Sequence, residues 1–403
     1  MRATMLLLLL AAATLPSAAQ NLAIDAEVIH TMAGKTIRNG VILIKDGKII
    51  RVGPESETPA PAGTPRLTAK VVTPGLIDAH SVVGLAGYLN QPHDQDQLEK
   101  SAAIQPELRA IDSYNAREFL VGWLRGFGVT TIHTGHGPGA LVSGQTMIAK
   151  TSGDTIDESV VVPSAMIAAN LGEDAFAENG KSPGTRAKEL ALLRQALLDA
   201  QEYRTKISSA AADKKPSRDL RKEAFVTVLE RATPLMITVN RAQDIVSALR
   251  LANEFDIRVV LDGCADAHLV VDEIAAARVP VIVHPTMARP FGEDENLTLE
   301  NAAILERAGI PTALQSGYEG YVPKTRVVLL EAAMAAANGL SFDEALGMIT
   351  VDAAKILGVS DRVGSIEPGK DADLALFDGD PFEYTTHITG VVINGKVVSE
   401  EVR

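Results

Sequence analysis

The chain has 403 residues, with 51 acidic against 38 basic side chains and a formal charge of −13. At roughly 100–200 residues per domain this length allows two or three domains, or one large α/β barrel with an appendage, and a hydrophobic content of 46% excludes a disordered chain. The acidic balance argues against a nucleic-acid partner, which needs clustered Lys and Arg, and a single cysteine, Cys264, excludes an intramolecular disulfide and a cysteine-rich metal site.

The chain starts with a targeting pattern. Arg2 precedes an apolar run at residues 5–13, and Ser17 and Ala19 put small side chains at −3 and −1 of a cut before Gln20. This predicts a Sec-type signal peptide over residues 1–19. The run is too short for the about 20 residues of a membrane span. The product is therefore expected to be exported, periplasmic or extracellular, with no membrane span.

Residues 22–70 read as short strands, at 22–29, 41–45 and 48–52. Asp46-Gly47 between alternating apolar runs is a hairpin signal. The far end of the chain shows the same pattern, with strands at 373–377 and 388–393, an Asn394-Gly395 turn, then a strand at 396–399. One small β-domain built from residues 20–70 and 369–403 is expected. Between these ends the pattern becomes strand, helix, strand. Strands at 129–133, 235–239, 258–261, 279–284 and 310–314 alternate with helical patterns at 242–255, 265–277, 299–308 and 325–338. A spacing of about 20–30 residues is that of repeated βα units, so the fold class is α/β with a parallel sheet or barrel. Residues 172–232, charged and helical, read as an insertion on that unit.

Several polar residues fall at or just after predicted strand ends, where barrel chemistry lives. They are His80, His133, His136, Asp262 and His284, with His93 and Asp94 on the loop after His80. The glycine-rich stretch 135–144 reads as a tight turn and lacks the Gly-Lys-Ser/Thr of a P-loop. Arg289 follows His284 and reads either as a clamp for a substrate carboxylate or as one half of a loop salt bridge. Tyr318, Glu319, Tyr321 and Lys324 read as a loop after the last strand, and Cys264 as a small packed residue. No Gly-x-Ser-x-Gly nucleophile elbow occurs.

Val72-Thr73-Pro74-Gly75-Leu76-Ile77-Asp78-Ala79-His80 resembles the first-strand signature of the amidohydrolase superfamily. Gly364-Ser365-Ile366-Glu367-Pro368-Gly369-Lys370-Asp371-Ala372-Asp373-Leu374 resembles its return into a β-sandwich. Residues 96–112, 128–150 and 350–358 are similar to an exported branch related to imidazolonepropionase-like amidohydrolases. The resemblance implies a metal-bearing (β/α)₈ TIM-like barrel over 71–368 and a β-sandwich from both chain ends. It also implies histidines two apart on the first strand and further His and Asp ligands on later strands. Such a metal brings the pKa of bound water to about 7 and polarises a carbonyl.

The chain departs from that pattern at four places. The first-strand pair reads His80-Ser81-Val82, the next expected ligand histidine falls in Thr238-Val239-Asn240, another falls at Asp262-Gly263, and the catalytic aspartate falls at Gln315-Ser316-Gly317-Tyr318. A zinc site needs about three or four protein ligands. The function these residues predict is an exported hydrolase of a C–N bond, amide or cyclic amide, in a small-molecule substrate. It works through a rebuilt site with one divalent ion, zinc, on His80. Asp262 and His284 are the catalytic groups, with Asp94 a second choice of base or ligand, and His133, His136 and Arg289 bind substrate. The alternatives are a non-catalytic binding protein that kept the barrel and lost its ions, and metal-free acid–base chemistry. Pairing into a homo-oligomer is a family expectation.

Overall fold

The computed structural model describes residues 21–89, 91–177, 181–209, 215–284, 290–317 and 327–403. The expected signal peptide, Arg289, Tyr318, Glu319, Tyr321 and Lys324 lie outside the described residues.

The described chain opens with four strands, β1 (Leu22–Ile29), β2 (Ile37–Lys45), β3 (Lys48–Pro54) and β4 (Arg66–Pro74). Asp46 and Gly47 both take positive φ, 52° and 80°, which a two-residue hairpin turn of the primed type demands. The central strands follow: β5 (Leu76–Ser81), β6 (Val129–Thr134), β7 (Val142–Gln145), β8 (Met147–Lys150), β9 (Val160–Val162), β10 (Ile167–Asn170), β11 (Leu235–Val239), β12 (Val259–Gly263), β13 (Val281–Val283) and β14 (Thr312–Leu314). The chain ends in β15 (Leu374–Phe377), β16 (Ile388–Ile393) and β17 (Lys396–Ser399).

Both chain ends enter one seven-stranded sheet, in the order β17-β16-β15-β4-β1-β2-β3. Ile24, Ile42, Val72, Leu374, Leu376 and Val392 pack together in it, and Val71, Ala375, Phe377 and Val391 form a second cluster. The first-end contribution runs past 70, to Pro74. Only Gly75 separates β4 from β5, and any side chain there would strike Thr130.

The central strands form a six-stranded run, β14-β13-β12-β11-β10-β7, and a four-stranded run, β5-β6-β8-β9. From β10 to β14 every pairing is parallel. An isolated bridge between Ser81 and Gly317 joins the first run's end to the second. Ile77, Ala79, Ile148, Met236, Val260, Ile282 and Ala313 form one buried cluster. Their neighbours Leu76, Leu235, Leu261, Val281 and Leu314 pack in another with the surrounding helices. Strands buried on both faces are what a parallel sheet sheathed in helices requires. The hairpin segment β7–β9 departs from the expected parallel order: β7 pairs β10, β8 pairs β6 and β9 pairs β8, all antiparallel.

Some boundaries move for identifiable reasons. The strands expected at 279–284 and 310–314 begin at Val281 and Thr312, just past Pro280 and Pro311, which have no N–H to donate. The helix expected from 265 begins at Val271, because Cys264 has a left-handed φ of 61° and a short 3₁₀ turn, Ala267–Leu269, intervenes. Within 172–232 lie the helices Arg186–Ser209 and Leu220–Leu229. The first buries Leu190, Leu193, Leu197, Ala200 and Tyr203, a stripe spaced by three and four residues. Arg186 anchors it by pairing with Asp244 at 2.7 Å and with Glu293. Among the described residues no helix is long and apolar enough to cross a membrane.

Candidate active site at the barrel mouth

Side chains alternate along a strand with a period of two. Counting two residues on from the inner apolar cluster gives Asn170 after Ala168, Thr238 after Met236, Asp262 after Val260, His284 after Ile282 and Gln315 after Ala313. A polar layer therefore caps the apolar one at the C-terminal ends of the strands. In a barrel, this is the face that carries the site.

Asp262 is the centre of that layer. His80 Nδ1 lies 3.0 Å from each of its carboxylate oxygens, Thr238 Oγ1 donates to Oδ2 at 2.7 Å, and Gln315 Nε2 donates to Oδ1 at 2.6 Å. Donors from β5, from β11 and from just after β14 thus converge on β12. His80 and Asp262 are both fully buried. An imidazole facing a carboxylate keeps its proton on the facing nitrogen, so Nδ1 is the N–H and Nε2 holds the lone pair. Beneath His80, Asp78 accepts from the backbone N–H of Ser316 at 3.1 Å and from the Ser316 hydroxyl. Burial pushes the Asp78 carboxyl up to about 6, against the Ser316 and His80 hydrogen bonds.

His133 stands beside His80, ring centres 5.9 Å apart. Its Nδ1 donates to the Ala79 carbonyl at 2.7 Å and its Nε2 accepts from Thr146 Oγ1 at 2.6 Å. Both nitrogens are thus engaged inside the protein. Burial holds its pKa down to about 4, and the neighbouring His80 adds to this. His136 lies buried in the glycine-rich loop, packed over Gly144, with neither ring nitrogen hydrogen-bonded. His284 ends β13, buried, its backbone N–H donating to the Gly263 carbonyl at 3.0 Å. Asp94 is on a short turn after β5, 3.4 Å from the exposed His93 and in no bond with this layer. Cys264 is buried, and burial raises its thiol well above the usual range, so it is a packed residue rather than a thiolate.

The donor chemistry does not make the expected zinc centre. Among the described residues no group of three His, Cys, Asp or Glu is placed to hold an ion. Val82 replaces one imidazole, and Thr238 and Gln315 spend their donors on Asp262, whose oxygens are already bound. Thr238, Gln315 and Asn170 carry the polar layer. Sequence reasoning took the first two as vanished ligands and passed over the third. The period-two count from the apolar layer would have found all three.

The family model described as "Amidohydrolase family" matches residues 190–398. The imidazolonepropionase of Maricaulis maris is 25% identical over 392 residues, covering 91% of this chain and 94% of the relative. That of Fusobacterium nucleatum is 25% identical over 402 residues, covering 89% and 91%. The crystal structure of an amidohydrolase from Thermotoga maritima superposes with a TM-score of 0.89 at 27% identity, covering 94% of this chain and all of that one. The family match and these relatives mark the fold as that of a (β/α)₈ hydrolase of carbon–nitrogen bonds. The chain belongs to the amidohydrolase family and sits with its imidazolonepropionase-like branch.

Proposed function

We propose that this protein is an exported hydrolase of an amide or cyclic amide bond in a small molecule, with His80 as its working side chain. The observation that carries this reading is the His80–Asp262 pair, buried at the mouth and buttressed by Thr238 and Gln315. A carboxylate that fixes the tautomer of an imidazole makes its other nitrogen a directed base. His284 is the second catalytic group of the same layer, His136 and Arg289 contact the substrate, and His133 forms a wall. The imidazolonepropionase relatives support a C–N bond as the target, and favour an enzyme over a binding protein. Export rests on the Arg2-to-Ala19 pattern. The zinc expected on His80 lacks the further ligands that would fit it among the described residues, so no step is routed through an ion.

Hydrolysis of a panel of amides and five-membered cyclic amides by residues 20–403 tests the activity. His80→Ala is expected to lower turnover by about 100-fold or more, the typical worth of a positioned base; undiminished turnover would sink the reading. Expression of the full chain with N-terminal sequencing of the product tests export. A cut before Gln20 is expected, and an uncut cytoplasmic chain would refute it.

A further inference from the structure

Three donors close on the Asp262 carboxylate from other strands, and all are neutral or tautomerically fixed by it: His80 Nδ1, Thr238 Oγ1 and Gln315 Nε2. An ionised carboxylate is acceptor only. Binding an ion through either oxygen would take away one of these acceptors and leave a buried donor unmet. Meanwhile two atoms of the same layer are buried without a hydrogen-bond partner: Gln315 Oε1 and Asn170 Nδ2. The orientation of the Gln315 amide is fixed, because the arm that meets a carboxylate must be its NH₂. Asn170 is in register with Thr238, which is in register with Asp262. Buried polar atoms without partners are rare in folded proteins, and here Gln315 offers an acceptor while Asn170, whose side-chain amide no hydrogen bond orients, can offer its NH₂. Together they match a planar neutral group that carries both an N–H and a C=O.

We propose that the mouth hydrolyses a neutral amide through His80 and Asp262 without a divalent ion, with Asn170 and Gln315 as the substrate's hydrogen-bond partners. The inference rests on the hydrolase reading above. His80 Nε2 takes a proton from water as the water oxygen bonds to the carbonyl carbon. The carbonyl π pair moves onto oxygen, where Asn170 Nδ2–H meets the developing charge. The substrate N–H donates to Gln315 Oε1 until the C–N bond breaks. As the pair on oxygen re-forms the carbonyl and the C–N bond breaks, the leaving nitrogen takes the proton from Nε2, and neutral His80 is restored. One water enters, an acid and an amine leave, and no oxidant, reductant or ion is consumed. Asp262 acts through His80 and is a positioning residue.

The test uses residues 20–403 purified without chelator, offered zinc and manganese, and desalted. Metal per chain is counted by mass spectrometry. Hydrolysis of hydantoin and p-nitroacetanilide is followed with and without EDTA. The expected result is metal far below stoichiometric and a rate untouched by EDTA. Asp262→Asn is expected to lower kcat by about 10²–10⁴-fold with KM held, at a cost in melting temperature because its NH₂ leaves one of the three donors unmet, and with partial rescue in Asp262→Glu. Asn170→Leu is expected to lower kcat about 100-fold, the usual loss of one oxyanion donor. Stoichiometric metal that disappears in His80→Ala, or a rate abolished by EDTA, overturns the metal-free proposal and leaves the hydrolase reading standing. No turnover by either metal-free or metal-loaded protein overturns both. The metal count is made on unsubstituted protein and so does not depend on any variant folding.

Discussion

His136 and His133 show how burial, rather than a partner, sets the state of an imidazole. Both are held down to about 4 by burial, His133 with hydrogen bonds at each nitrogen and His136 with none. In the unfolded chain a histidine titrates near 6.5, so between about 6.5 and 4 the unfolded state binds the extra proton. The contribution of His136 is therefore complete above about 6.5 and is lost as pH falls towards about 4. His136→Leu removes this penalty without removing a hydrogen bond. The variant is expected to match the parent in urea unfolding at pH 7 and to exceed it by about 2 kcal/mol at pH 5. A difference that does not change with pH would mean that folding leaves the His136 pKa unshifted.

Among the elements, β8 is one of the strands that tie the barrel to the terminal sheet. Its last residue, Lys150, is buried and pairs with Asp371 at 3.2 Å and with Asp373. Lys48 and Arg362 also reach Asp371, at 2.6 Å and 2.9 Å. Burial pushes the Asp371 carboxyl up, but Lys150, Lys48 and Arg362 outweigh it and hold it below the usual range. Lys150→Met would take from Asp373 its counter-charge, leaving it only the Asn394 N–H at 2.8 Å, and would weaken Asp371 in a buried junction. It is expected to cost about 3–5 kcal/mol, the penalty for removing one partner of a buried pair. Adding Asp373→Asn should recover part of that in a urea-denaturation cycle, and additive losses would show that the pair is not coupled. None of this was legible from the sequence. Strands of three or four residues such as β7, β8 and β9, set among Gly, Ser and Thr, carry too few apolar positions to show a period. Longer apolar runs such as Leu235–Val239 and the helix Ala242–Phe255 fall where periodicity places them.

For the molecule as a whole, the two end motifs made the barrel and the shared terminal sheet readable, because each is a local pattern. The site was readable only in part. His80 and Asp262 were both named, but not their contact, which joins positions 182 residues apart. Thr238 and Gln315 gain a role only through Asp262, 24 and 53 residues away from them. A sequence read for metal ligands records such residues as gaps. Closure of the barrel is another long-range property. Asp78 on the first barrel strand receives both the backbone N–H and the hydroxyl of Ser316, which follows the last strand, and the bridge from Ser81 to Gly317 lies beside them. This seam spans 238 residues of sequence, so its bonds constrain the whole ring rather than one element. Ser316→Ala would leave the buried Asp78 carboxyl with one donor fewer at the seam, and a hydrogen bond to such a group is worth about 1.5–3 kcal/mol. A loss of that size is expected in urea at pH 7, with unfolding still a single transition because the barrel opens as a unit. Ser316→Cys, whose thiol is a weak donor, should fall between the two. A loss below about 0.5 kcal/mol, the range of an ordinary surface substitution, would mean that the seam is held by the backbone alone.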